Sequence, residues 1–465
     1  MADSSQIHSL LDDTTLSQDL TQYTDSSLQY LSDYNQGSYS GSIFFDTQVL
    51  ASKWIVLSES FLSIPLRITS STGTAYSAAT LASWKASILS LISGVTVSNT
   101  QGSTVLSDQN ISIINNIRLL VEKEYEWEVS EAAKLMFAKD TVTTPSSTTM
   151  GGSTAVNTST LNSGFLRRIQ LVKQQTGASD TTTWTMIACI PLSLIHDFFA
   201  KCDFPMINQR WMFTFNLNAY NNTVLSPWCC DSVAPAPVPT ITIGAATSNG
   251  VTQTSCRLYY KTVKFSPEIN QRLVDRLNSG GFSKKIFFRC TDTYLPGVND
   301  VAQTSGTISK VLNSATVRPL RIWLLAPPTG GLSTAGSDTV NGSFVFPGRF
   351  TNINCQINNQ NYYDNPLQSD HEIYSILEEQ FPGYGNSSGS GSLISFSDFQ
   401  NSYRLHCIDV SRLKDRLKDP NSAVSIQLSA TRSNSTSCDY YVCVERLQAC
   451  TMSFTNSEVK LFVGL

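Results

Sequence analysis

Two stretches decide the fold: Cys189-Ile190-Pro191-Leu192-Ser193-Leu194-Ile195-His196-Asp197 and, 218 positions later, Cys407-Ile408-Asp409-Val410-Ser411-Arg412-Leu413-Lys414-Asp415. They align without a gap. Cys, Ile, Ser and Asp recur at the same places. Each reads as the end of a strand followed by a short helix, and an alternating strand begins soon after, at Met212–Asn218 and at Val424–Ser429. A repeat of this length in a 465-residue chain predicts two copies of one β-domain.

Working outward, strands are expected at Ile43–Phe45, Trp54–Leu57, Phe61–Ile68, Phe165–Val172, Trp184–Leu192 and Trp211–Leu217, where β-branched and aromatic residues alternate or run. The second half repeats the style, at Arg257–Phe265, Lys285–Arg289, Leu320–Leu325, Ile353–Ile357, Tyr403–Val410, Tyr440–Val444 and Val459–Val463. Helical spacing occurs at Leu81, Trp84, Ile88, Leu89 and Ile92, over Ile111–Ala138, and at Pro267–Leu277, Asp370–Gln380 and Ser411–Lys418. Long Ser/Thr/Gly loops cover Thr141–Ser163, Gly330–Ser343 and Gly383–Ser392. Prolines 235, 237 and 239 stiffen a joint and break strands. The expected order is an N-terminal arm over 1–40, a first β-domain over 41–226, a Pro-rich linker over 227–240 and a second β-domain over 241–465. Many short strands and few helices read as an all-β sandwich or jelly roll.

Composition narrows the function. Charged residues are 15%, below the usual ~25%. The formal net charge is −4, which is not that of a basic nucleic-acid binder. Seven aspartates and no Lys or Arg precede Lys53, so the arm is a poor clamp for phosphate. It is expected to grip protein, through Ile7, Leu10, Leu11 and Leu20. No stretch approaches the ~20 apolar residues of a membrane span. The start, Met1-Ala2-Asp3-Ser4, lacks the basic and apolar regions of a signal peptide, which predicts synthesis in the cytosol. The 11 cysteines contain no C-x-x-C pair and are expected to be reduced structural thiols.

Catalytic and metal-binding patterns fail on context. The four histidines, His8, His196, His371 and His406, have no ligand partners at metal spacing, and His371-Glu372 is not followed by a second His. Gly385-Asn386-Ser387-Ser388-Gly389 fits G-x-S-x-G in form, without the strand and helix a nucleophile elbow requires. Glu124, Glu128 and Glu131 share one helical face, with Glu122 and Glu126 beside them. That is a solvated face, whereas paired catalytic carboxylates flank a cleft. No catalytic, cofactor-binding or metal residue is assigned.

The chain resembles the double jelly-roll major capsid proteins of polinton-like viruses and virophages, within the adenovirus-like capsid lineage. The stretches that carry the resemblance are Tyr39–Thr47 with Lys53-Trp54-Ile55 and Leu62–Leu66, then Ile190-Pro191-Leu192 through His196–Phe199 to Asp203–Met206. Arg257–Tyr260 resembles the opening of the second jelly roll, and Ile353–Asn359 with Tyr362, Tyr374 and Phe396–Tyr403 follow in the same order. The resemblance implies two consecutive eight-stranded jelly rolls with short helices in the connecting loops. It implies a homotrimer, a pseudo-hexameric capsomer that builds an icosahedral shell with penton and minor capsid proteins, located in the virion, with no enzyme activity and no cofactor. The rival reading from composition is a secreted adhesin or carbohydrate-binding β-sandwich. A third is a glycoside hydrolase using Glu124 or Glu128.

Overall fold

The computed structural model describes residues 24–35, 41–47, 53–70, 81–99, 104–141, 162–176, 183–207, 210–218, 225, 227–231, 239–248, 250–279, 282–312, 316–332, 344–381, 393–411, 423–454 and 459–464. Two sets of eight strands follow one another. The first is Asp25–Ser32, Ser42–Asp46, Trp54–Ser70, Ile92–Asn99, Thr104–Gln109, Thr183–Pro191, Trp211–Leu217 and Arg257–Lys264. The second is Phe282–Tyr294, Gln303–Val311, Pro319–Leu325, Phe350–Ile357, Gln360–Asn361, His406–Asp409, Ile426–Cys438 and Tyr441–Phe454.

Counted within each set, the strands pair identically. One sheet runs first–eighth–third–sixth and the other second–seventh–fourth–fifth, with every pairing antiparallel. That order is an eight-stranded jelly roll, made twice. Cys189 and Cys407 both lie in the sixth strand of their set, and the strand after each crosses to the middle of the opposite sheet. The helix expected over Ser411–Lys418 lies mostly outside the described residues.

Pairing moves the boundaries drawn from composition. Residues 25–32 are not arm but the first strand of the first roll, matched residue for residue from Asp25↔Lys264 to Ser32↔Arg257. Strand Arg257–Lys264 closes that first roll instead of opening the second. Pro239–Ile243, at the end of the supposed linker, pairs with Leu66–Ser70. A proline is tolerated there because it is the strand's first residue. By pairing, the strands of the first roll span 25–264 and those of the second 282–464, where Val459–Gly464 pairs with Ala449–Phe454, and helix Pro267–Asn278 lies between them.

Alternation builds the cores. Trp211, Phe213 and Phe215 point inward from one central strand, and Ile426, Leu428 and Ala430 from its counterpart. Each Phe, Ile or Leu among them gains about 1.5–3 kcal/mol on full burial. Phe350 in one second-roll sheet meets the His406 ring in the other at 4.9 Å. Phe198 of the first roll meets Phe288 of the second at 5.3 Å, and the cores of the two rolls belong to one cluster, with a small separate one at Phe165 and Ile169.

Two secondary-structure expectations are corrected. The spacing at 81–92 is a strand, Leu81–Trp84, a 3-10 turn, Ile88–Leu91, and a further strand. Ala86 at φ 63° breaks any helix there, and the Ser87 side chain accepts from Leu89 N–H to start the turn. Phe165–Val172 is helix, within Ser163–Thr176. Its buried face is Phe165, Arg168, Ile169 and Val172, a helical period hidden because the inward position 168 is an arginine. At the base of this helix, a Cβ on Gly164 would stand 1.9 Å from the Lys139 carbonyl oxygen. Gly164→Ala is expected to destabilise the protein by about 1–3 kcal/mol through overpacking, as read from urea unfolding.

Candidate functional site: the charged seam between the two rolls

The first roll brings its polar groups to the seam on three short pieces. Strand Thr104–Gln109 delivers Asp108 and ends at Asn110, whose left-handed backbone (φ 57°) turns the chain into helix Ile111–Glu122. That helix carries Arg118 and Glu122. After strand Thr183–Pro191, helix Leu192–Ile195 leads to His196, which caps helix Asp197–Lys201 by accepting from Phe198 N–H. The second roll answers with Arg289, Thr291 and Asp292 on its first strand, Arg321 and Trp323 on its third, and Glu445, Arg446 and Gln448 on its eighth.

Glu445, 1% exposed, is the centre. It accepts from Arg118 Nη2 at 2.6 Å, from Arg118 Nε at 3.0 Å and from the Trp323 indole at 3.1 Å, with Arg321 at 3.4 Å. Burial alone would raise its pKa, but Arg118, Arg289 and Arg321 outweigh that and hold it at about 2. Arg289 pairs with Glu122 and lies 3.6 Å from Asp197. The two backbone donors Arg289 N–H and Thr291 N–H reach Asp197 (3.0 Å) and Asp108 (2.9 Å). First-roll carboxylates thus close the edge strand of the second roll. A cavity of about 250 Å³ beside this network is lined by Asn115, Arg118, Glu122, His196, Asp197 and Arg289. Both arginines in it are paired within the protein.

Asp108, His196 and Cys290 form a buried cluster of metal-ligand types, their ligand atoms all within 4.8 Å. The hydrogen bonds argue against a metal. His196 Nδ1 accepts from Phe198 N–H, so in the neutral ring Nε2 carries the proton and donates it to Asp108 at 3.1 Å. A cation at Nε2 would require an imidazolate or the loss of the helix cap. Cys290 donates to Gln448 at 3.0 Å, and burial, then the Asp108 charge, push its thiol up. Asp108 is raised by burial but drawn lower overall by His196, Thr291 N–H and Arg446.

A second junction joins the rolls at the roots of the long loops. Asp140 accepts from Arg168, Asn162 and Phe344 N–H, each at 2.8 Å, and donates its own N–H to the Tyr403 hydroxyl at 2.7 Å. Lys139 donates to Asp398 (2.7 Å) and to the Leu393 carbonyl (2.6 Å). Asn162, Phe344 and Leu393, which follow the segments 142–161, 333–343 and 382–392, therefore meet in one place. Most of each expected loop lies outside the described residues.

The residues weighed for chemistry are dispersed. Glu128 turns inward and accepts from Lys139 N–H at 2.7 Å, Glu122 goes to Arg289, and Glu124 is exposed. His371 stacks on Phe396 at 4.5 Å, and His406 is buried against Phe350 and Phe399. His8 and Gly385–Gly389 lie outside the described residues. An apolar groove of about 550 Å³ is lined by Glu59, Phe61, Lys134, Met136, Ile187, Cys189 and Pro191; of its titratable groups, Glu59 is bonded to Lys261 and the Cys189 thiol is pushed up by burial. Among the described residues no helix is long and apolar enough to cross a membrane. The seam itself was missed. Its signal was the charged pair Glu445-Arg446 closing the apolar run Tyr441–Val444, a position where a carboxylate needs a partner.

No family model matches the chain, and no curated protein matches it in sequence. Solved structures do match. One is a chain of the Sputnik virophage cryo-EM structure, with TM-score 0.60 and 12% identity, covering 95% of this chain and 89% of that one. Another is the mavirus major capsid protein, with TM-score 0.54 and 10% identity, covering 94% and 90%. With the strand order twice repeated, the chain shares the double jelly-roll fold of these two viral proteins.

Proposed function

We propose that this chain is a viral major capsid protein that self-assembles into trimeric, pseudo-hexameric capsomers of an icosahedral shell. The observation that carries this reading is the pair of identical jelly rolls, locked by a buried charged seam into one block, in a fold shared with the mavirus major capsid protein over nearly the whole chain. A shell subunit needs rigid β-domains and broad lateral faces, and closed symmetric association turns modest contacts into a stable assembly. The polar chemistry at the seam is consumed in holding the rolls together, which supports a structural rather than an enzymatic role.

The partners are further copies of itself, and penton and minor capsid proteins; the location is the virion. Residues 1–23, with Asp3, Asp12, Asp13, Asp19 and no Lys or Arg, grip a neighbouring protein rather than DNA. Sedimentation of the full chain over a wide concentration range tests the reading. A discrete trimer is expected, and a monomer at every concentration would contradict it.

A further inference from the structure

One outward row of side chains crosses all four strands of a first-roll sheet. Tyr30 pairs with Tyr259, Tyr259 with Phe61, and Phe61 with Pro191. Their neighbours Leu258, Leu62 and Ile190 point into the core, so the row itself lies on the outer face. The Tyr30 and Tyr259 rings are 5.5 Å apart, and Tyr259 stacks on Phe61 at 4.7 Å. Leu28 and Tyr30 are exposed at the start of the row. The row ends in the apolar groove of about 550 Å³, where Phe61, Ile187 and Pro191 are only half-buried. That volume falls within the roughly 300–1,000 Å³ of pockets that hold a drug-sized group. At its rim Glu59 is bonded to Lys261, whereas Lys134 is exposed and makes no ion pair among the described residues.

The segment before the first strand has the chemistry this groove lacks. Residues 1–23 contain Ile7, Leu10 and Leu11, followed at once by Asp12 and Asp13, and no Lys or Arg. The segment joins the sheet at Thr24, whose N–H bonds to the Lys264 carbonyl. From there the groove is two to three strand spacings across, about 10–15 Å, and five residues along, about 17 Å, so roughly 20–25 Å away. The 14 residues from Leu11 to Asp25 reach up to about 46–50 Å when extended, and fold back onto the same roll with slack. We propose that the groove seats the apolar run Ile7–Leu11 of the chain's own arm, with Asp12 and Asp13 facing Lys134. The tether keeps the arm at a local concentration on the order of millimolar, so modest contacts suffice to hold it. Exchange of arms between copies keeps the same contacts, so the seat also serves the grip on a neighbour. The inference rests on reading residues 1–23 as a grip on protein, and names the surface gripped.

Cys189 lines the groove and is exposed, whereas the other described cysteines are buried. Its alkylation by iodoacetamide, mapped by mass spectrometry on the full chain, therefore reports whether the seat is filled. Three variants should label at Cys189 about tenfold faster than the parent while keeping its melting temperature: a chain lacking residues 2–23, the double substitution Leu10→Asp and Leu11→Asp, and Lys134→Glu. Equal rates in parent and variants, or a Lys134→Glu chain that labels like the parent, overturn this seat. Hydrogen exchange on the assembled protein separates that failure from failure of the arm's role. Protection of residues 7–13 with Cys189 open means that the arm grips protein elsewhere, which overturns the seat alone, and no protection there overturns the grip as well.

Discussion

Glu445→Gln is expected to destabilise the protein by about 3–5 kcal/mol at neutral pH, the cost of removing one partner from a buried ion pair. Gln keeps the shape and still accepts from the Trp323 indole. It leaves Arg118 and Arg321 facing a neutral group in a site where Glu445 is 1% exposed. The pH dependence gives the sign. The folded carboxyl titrates at about 2 against an ordinary 4.5. Its stabilisation is therefore complete above about pH 4.5 and is lost as pH falls towards 2. Parent and variant should differ most at neutral pH and converge in acid, as followed by chemical unfolding at a series of pH values. A gap that stays constant down to pH 2 would show that the charge is not what stabilises the seam.

His406 should make the fold acid-labile well before any carboxylate does. Burial first, then the Arg404 charge, lower its pKa from 6.5 to about 3. The folded state thus keeps the ring neutral where the unfolded chain takes up a proton. Stability is complete above about pH 6.5 and falls as pH drops, by up to ~1.4 kcal/mol per unit, until the folded value is reached. His406→Gln cannot charge, and its unfolding free energy should lose this slope between pH 6.5 and 4, even if it starts lower. Equal slopes for parent and variant would assign the acid lability elsewhere.

Fold class was legible because the repeat sits where geometry is strict. Cys189 and Cys407 occupy the sixth strand of each roll, and the crossing to the opposite sheet follows in both. The first strand, Asp25-Ser-Ser-Leu-Gln-Tyr-Leu-Ser32, was hidden because nearly all its side chains are outward or half-buried. An edge strand with little to bury leaves no hydrophobic period to read. Arg257–Lys264 alternates plainly, but which roll it closes depends on a partner more than 200 residues away. Arg168 misled in the opposite way, since a charge on the inward face turned a helical stripe into apparent alternation. The seam was illegible for a related reason. Asp108, Arg118, His196, Arg289 and Glu445 are scattered over both halves, and only the folded chain brings them together.

Negative-stain electron microscopy of the purified full chain tests the central claim most directly. The account predicts three-fold blocks with six roll-sized lobes around a pseudo-hexagonal outline, alone or tiled into shells. A field of single two-lobed particles that persists at high protein concentration would contradict it.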